Sequence, residues 1–302
     1  MARYRDTHYP LFQALINRLR PEILWHGFTR GDASWRHFHP DTPYNRLYLF
    51  LKGQAWVRHG ADRSAQDFPN PEAIGSGWTL LSPGRAYLLP AGQCWQLWAK
   101  GAFEKFFVHF RLEVWPGRDL FQEAGEPLPM KLDWPGVKAL ARAAAGGPAD
   151  LLRFQSGMTE LLVSFLESAR FSEGRPLETD LLLAQKYSAV FEAAEQTPFR
   201  EWSFQALAQR LGRSLPSLAR SFRRDTGMTL TDFFRLRLVR RAGDLLVLSG
   251  RSIREIASEL GFEDEHYFSR FFRKASGVPP REWRKRNQEA LGPRDWDGKN
   301  EA

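Results

Sequence analysis

Cysteine is nearly absent from this 302-residue chain: Cys94 stands alone. One cysteine excludes a disulfide framework and any zinc site built on several thiolates, and a reducing, cytosolic setting is expected. Long hydrophobic runs are missing too. No stretch approaches the ~20 apolar residues that cross a bilayer, and the first residues lack the apolar core of a secretory signal. Phosphate-loop, dinucleotide and nucleophile-elbow motifs do not occur, so the commonest enzyme signatures are missing. Acid is in modest deficit, with 35 Asp and Glu against 43 Lys and Arg, a formal charge of +8. That surplus is local. Between positions 198 and 287 lie 19 basic residues, 17 of them Arg, against 10 acidic ones, and the remainder of the chain is close to neutral. A basic module attached to a neutral body points to a polyanionic partner, and location carries more weight than the total.

What is present divides into three parts. Up to residue 133, short aromatic and β-branched runs such as Leu47–Leu51, Ala55–Val57 and Phe106–Phe110 alternate with Gly, Pro, Asn and Asp. This is the pattern of many short strands, and eight of the eleven tryptophans fall between Trp25 and Trp134. A sandwich or barrel is expected. Residues 134–179 read as helical, with Leu151, Leu152, Met158, Leu161, Leu162, Phe165 and Leu166 along a stripe and Glu173–Pro176 as a hinge. The stripe packs either on its own sheet domain or against a second copy of the chain. A third part, 180–290, begins with a helix expected over Leu181–Ala194.

The third part contains an internal repeat. Phe204, Leu207, Ala208 and Leu211 fall at i, i+3, i+4 and i+7, with Ser203 before them as cap and Gly212 after them as stop. Forty-nine residues on, Ile253, Ile256, Ala257 and Leu260 repeat the spacing, with Ser252, a capping-box Glu255 and Gly261. Each first helix is followed by a turn and a second helix. Ser214 and Asp264 are its caps, Leu218 and Phe222 pair with Phe268 and Phe272, Arg220 and Arg223 with Arg270 and Arg273, and Gly227 and Gly277 end it. The apolar pairs share a face at i and i+4, whereas Arg220 and Arg270 lie roughly 200° round the helix and point outward. Two helices, a tight turn and an outward basic face make a helix-turn-helix, here twice. A helix expected over Thr231–Leu248 separates the units by roughly 27 Å, near the ~34 Å of one DNA turn.

Leu207-Ala208, Leu218-x-Arg220-x-Phe222, Arg237-Leu238-x-x-x-Ala242, Ile256-Ala257-x-x-x-Gly261-Phe262, Tyr267-Phe268-Ser269-Arg270-x-Phe272 and Gly277-Val-Pro-Pro-Arg-Glu-Trp283-Arg284 follow one another in order. This third of the chain resembles the DNA-binding region of AraC/XylS-type transcriptional regulators. The resemblance implies that bases are read by Pro216, Ala219 and Arg220 in the first unit and by Glu265, His266, Ser269, Arg270 and Arg273 in the second. Ser214, Ser217, Arg223 and Arg224 complete the DNA-facing candidates. An arginine fork bonds guanine O6 and N7 together; its plainer role is a phosphate contact that positions without specifying. Glu265 suits cytosine N4, not phosphate. Pro216 and Ala219 replace larger side chains common at those family positions, so the first unit is expected to read few base edges.

Such regulators often carry a cupin-like sensor. Gly84-x-x-x-x-x-Pro90-x-Gly92-x-x-Trp95 and His37-x-His39 followed by Gly53 resemble its two signatures, with Trp95 in place of a ligating histidine and Arg46 at or near the position of a ligating glutamate. A cation there repels a divalent ion, so neither metal nor cofactor is expected. The interior is left to an organic effector, expected to be a carbohydrate, faced by Tyr48, Trp95 and Trp98 with polar contacts from Arg36, His37, His39 and Arg46. The expected architecture is α+β with two domains: an N-terminal cupin-like β-barrel and helical linker, and a C-terminal all-α double helix-turn-helix. The expected molecule is a cytoplasmic, homodimeric, non-enzymatic transcription activator with double-stranded DNA, RNA polymerase and a sugar as partners and no membrane. A metal-dependent cupin enzyme fused to a DNA-binding module, and a regulator whose barrel only dimerises, are the alternatives.

Overall fold

A computed structural model describes residues 19–39, 44–60, 77–132, 134–144, 146–168 and 177–289. The expected hinge over 173–176 lies outside them. The described chain forms a sheet unit (residues 19–113 and 119–168) and a helical unit (177–289 with the short segment 114–118). No described helix is long and apolar enough to cross a membrane.

The sheet unit is built from antiparallel strands. β1 (Glu22–Gly31), β2 (Arg36–His39), β3 (Asn45–Lys52), β4 (Ala55–His59), β5 (Thr79–Leu81), β6 (Arg85–Leu89), β7 (Trp95–Ala99), β8 (Phe103–Arg111) and β11 (Leu128–Lys131) form two sheets. β9 (Glu113–Trp115) and β10 (Arg118–Asp119) make a separate pair. The larger sheet runs β1-β8-β3-β6-β11 and the smaller β2-β7-β4-β5. The expected barrel is corrected here: among the described residues the sheets are not closed. Closure needs each strand bonded on both sides, whereas here β1 and β11 end one sheet and β2 and β5 the other. The two sheets instead face each other through side chains.

The pleat sorts the larger sheet's residues between two cores. Leu47, Leu49, Leu88, Phe106, Val108 and Phe110 turn toward helices α1 (Trp134–Ala143) and α2 (Pro148–Ser168), where Leu140, Phe154, Met158, Leu161, Leu162 and Phe165 cover them. Tyr48, Phe50, Tyr87, Leu89, Phe103 and Phe107 turn the other way, toward Ala55, Val57, Leu81, Trp95, Leu97 and Ala99 of the smaller sheet. With both faces covered, β8 is buried along nearly its whole length, and its phenylalanines fall on both faces in place of a clean alternation. The α2 stripe splits: Met158, Leu161, Leu162 and Phe165 pack on the sheet, while Leu151 and Leu152 stay exposed.

The helical unit has α3 (Leu177–Lys186), α4 (Ser188–Gln196), α5 (Phe204–Arg210), α6 (Leu215–Thr226), α7 (Leu230–Leu248), α8 (Ile253–Glu259), α9 (Glu265–Ser276) and α10 (Pro280–Glu289). The single helix expected over Leu181–Ala194 is broken at Tyr187, whose φ of −112° and ψ of 17° leave the helical region. The break accompanies a buried anchor: Tyr187 packs edge-on to Phe222 and its hydroxyl donates to Asp225 at 2.8 Å. Trp115, from the 114–118 segment, stacks on Phe191 and donates to Asp180 at 3.1 Å.

Candidate nucleic-acid interface and the sheet-unit interior

Local sequence positions both reading helices. Ser203 and Ser252 accept from backbone amides three residues on, and Ser252 adds the reciprocal Glu255 bond of a full capping box. Ser214 caps α6 and Asp264 caps α9, the latter accepting from His266 and Tyr267. Gly227 and Gly277 end those helices at φ of 78° and 82°. The units share one feature that no spacing argument had singled out. Thr226 and Ser276 each donate back to a carbonyl four residues earlier, Phe222 or Phe272, and accept from the amide two residues on.

The outward face carries the charge. Arg220, Arg223, Arg270, Arg273, Pro216, Ser217 and His266 are exposed, Ala219, Glu265 and Ser269 half-buried. Leu218, Phe222, Phe268 and Phe272 are buried beneath them. The two faces are not equivalent. In the first unit Arg213 folds onto Ser217 and Ser221, and Arg224 pairs with Asp225 at 2.8 Å, which draws two cations and the Ser217 hydroxyl into local contacts. In the second, Phe271 occupies the place of Ser221, and the exposed ring of Tyr267 lies beneath Arg270 at 6.0 Å. Tyr267 is a reading-face candidate absent from the expected set; its sign in the sequence is an aromatic residue one position before the buried Phe268. Beneath the second unit, Leu238, Ala242, Leu246, Ile256, Phe268 and Phe272 form one core. α7 provides its floor and, at 19 residues, runs about 28 Å.

The space between the sheets is donor-rich. Arg46, Lys105 and His109 are buried there beside Tyr48. The Lys105 ammonium lies 3.7 Å from the Tyr48 ring centroid and 4.4 Å from that of Trp35. Burial, then the Arg46 charge, holds the Lys105 amine well below the ordinary lysine range. Burial depresses His109 likewise, reinforced by Arg46 and Lys105, and brings His37 down to about 4, with Lys105 and Arg46 adding to it. Burial pushes the Tyr48 phenol up to about 12, against the pull of Arg46. Cation–π contact offsets up to ~2 kcal/mol, whereas burying an ammonium costs several, so ring contact alone does not balance the site.

The comparisons with known proteins place the helical region. The family model described as a helix-turn-helix domain matches residues 207–286. Its C-terminal region is an AraC-type helix-turn-helix domain. The HTH-type transcriptional activator RhaR of Klebsiella pneumoniae is 32% identical over 149 residues, which is 49% of this chain and 50% of the relative. The match thus spans half the length of that protein. RhaR of Escherichia coli K12 is 29% identical over 192 residues, covering 54% of this chain and 67% of its own. A crystal structure of ToxT from Vibrio cholerae aligns with 87% of this chain and 98% of its own at a TM-score of 0.50 and 10% identity, a likeness of fold alone.

Within the AraC-type domain the expected DNA-facing residues lie on α6 and α9 or at their caps, and Ser214 spends its hydroxyl as a cap. The expected effector residues separate. His37, Arg46, Tyr48 and Trp95 occupy strand positions that face between the sheets, as their pairings with Leu97, Leu89, Tyr87 and His59 require. Trp98 pairs with Trp56 and Arg36 on the opposite face of the smaller sheet, so Arg36 and Trp98 do not join them. His39 pairs with Trp95 in the backbone, but its side chain lies outside the described residues. Lys105, His109, Trp25 and Thr29 were not anticipated. Among the described residues no group of three His, Cys, Asp or Glu side chains is placed to hold a metal ion.

Proposed function

We propose that this chain is a sequence-specific DNA-binding transcription regulator, an activator like the relatives named RhaR, whose sheet unit takes a small organic effector. The doubled helix-turn-helix with its outward arginines carries the reading. Arg270 and Arg273 on α9 take the larger share of base reading, and α6, with Pro216 and Ala219 on its face, contributes Arg220 and Arg223 mostly to phosphates. Selection of sites by the full chain from random duplex DNA tests this. The expected result is one strongly specified element, read by α9, with a weakly specified element centred about 10 base pairs away under α6. No enrichment, or a strong element assigned to α6 by its loss in Arg220→Ala and not in Arg270→Ala, overturns it.

The effector binds between the sheets and biases how the DNA-binding units are presented. A carbohydrate is one class that the aromatic walls suit, and a monosaccharide panel in a thermal-shift assay tests it. The exposed Leu151 and Leu152 of α2 are the proposed contact with a second copy. Sedimentation of the wild type and of a Leu151→Gln, Leu152→Gln variant tests that, with loss of the dimer expected. RNA polymerase is the proposed protein partner and the cytoplasm the proposed compartment.

A further inference from the structure

One face of the larger sheet concentrates polar atoms that lack partners. The β1–β8 register sets Trp25 opposite His109 and Thr29 opposite Lys105, and the β3–β8 register sets Arg46 opposite His109. All five side chains therefore share the face that looks toward the smaller sheet. Trp25 Nε1, Thr29 Oγ1 and both His109 ring nitrogens are buried without a hydrogen-bond partner. Lys105 is 4% exposed, and its ammonium meets the rings of Tyr48, Trp35 and Phe107. Buried polar groups in folded proteins are nearly always satisfied, so four such atoms on one face indicate a missing partner.

The chemistry of the set says what kind. Indole, ammonium and guanidinium groups only donate. Among the described strand positions of this face the one carboxylate is Glu22, at the end of the sheet, exposed and paired with Arg111 at 3.4 Å; the buried amides Asn45 and Gln96 have the opposite parity, bonded to Asp119 and Arg58. A neutral polyol presents hydroxyl donors that this face has few acceptors to receive. An anion needs donors alone.

We propose that the space between the sheets receives a small organic carboxylate, its charged end held by Lys105 with Arg46 and Thr29 beside it and its apolar body against Trp35, Tyr48 and Phe107. This names the effector class and rests on the regulator reading above for its consequence, though not for the binding itself. Burial and Arg46 hold the Lys105 amine below its ordinary range, and a carboxylate beside it opposes both by favouring the ionised pair.

The test uses the full chain and calorimetric titration with benzoate, phenylacetate and hexanoate, each beside its neutral amide, and with D-glucose. At least one acid is expected to bind, with its amide at least tenfold weaker. Lys105→Met is expected to weaken that acid at least tenfold and to raise the thermal midpoint of the acid-free protein, because a buried cation is gone. Thr29→Val, which keeps the side-chain shape, is expected to weaken it severalfold and serves if Lys105→Met fails to fold. No binding by any acid, equal binding of acid and amide, or wild-type acid binding by both variants overturns the proposal. A lower midpoint for Lys105→Met without acid binding by the wild type assigns Lys105 to ring packing alone. Selective DNA binding without acid binding refutes the site and spares the regulator; acid binding without selective DNA binding does the reverse.

Discussion

The two helix-turn-helix units have nearly the same sequence pattern, yet one substitution made in both should give different results. Gly212 and Gly261 follow the first helix of each unit, at φ of 63° and 83°. An alanine in this left-handed region costs about 1–2 kcal/mol wherever it stands. At Gly212 the added methyl meets nothing within 4 Å, so that strain is the whole expense. At Gly261 it falls 2.8 Å from Pro198 Cβ and 2.9 Å from the Phe199 backbone nitrogen. Phe199 cannot easily retreat. Its amide donates to Leu260 at 3.0 Å, and its ring stacks on Phe262 at 4.6 Å between centroids. Overpacking against backbone adds about 1–3 kcal/mol, so Gly261→Ala should destabilise by about 2–5 kcal/mol and Gly212→Ala by about 1–2. Urea unfolding followed by far-UV circular dichroism, which reports mainly on the helices, measures both. Equal losses would show that the 198–199 segment does not brace the second turn and would refute the reasoning.

Removing the Ser252 hydroxyl, as Ser252→Ala, should cost about 1 kcal/mol in the same assay, because it breaks a reciprocal capping box. Ser203→Ala should cost less, since Ser203 makes one cap bond. Asp119 tests the sheet unit by pH. Burial raises its carboxyl to about 6, against hydrogen bonds from Leu112, Phe121 and Asn45. The folded value lies above the unfolded one of ~3.9, so its stabilising share is complete below pH ~3.9 and is lost as pH rises through about 6. The stability of wild type minus that of Asp119→Asn, measured by urea titration, should fall by about 3 kcal/mol across that window. A flat difference would contradict the assignment.

The helical third was legible because its determinants are local. A cap, an i, i+3, i+4 stripe and a glycine stop lie within a dozen residues of one another, and their recurrence at 49–50 residues made the assignment secure. The sheet interior was read less well for a reason the pleat supplies. Trp95 and Trp98 differ by three positions and Arg36 and His37 by one, so period-two alternation forbids either pair from sharing a face. That part could have been worked out beforehand. Lys105 could not. Its face depends on the pairing of β8 with β1 and β3, strands some fifty to eighty residues away, and in the sequence it is one cation in a run of phenylalanines. Barrel closure is non-local in the same sense, because it depends on which edges pair and not on any one strand. The break at Tyr187 is tertiary as well, fixed by Phe222 and Asp225 in a later helix.

The central claim is that the outward arginines of the second unit specify sequence. A gel-shift titration of Arg270→Ala on a selected site and on random duplex of equal length, at one salt concentration, tests it most directly. One lost bidentate base contact is worth ~1–3 kcal/mol, so affinity for the selected site should fall about 5- to 150-fold while binding to random DNA changes little. An equal loss on both would make Arg270 a phosphate contact and contradict the claim.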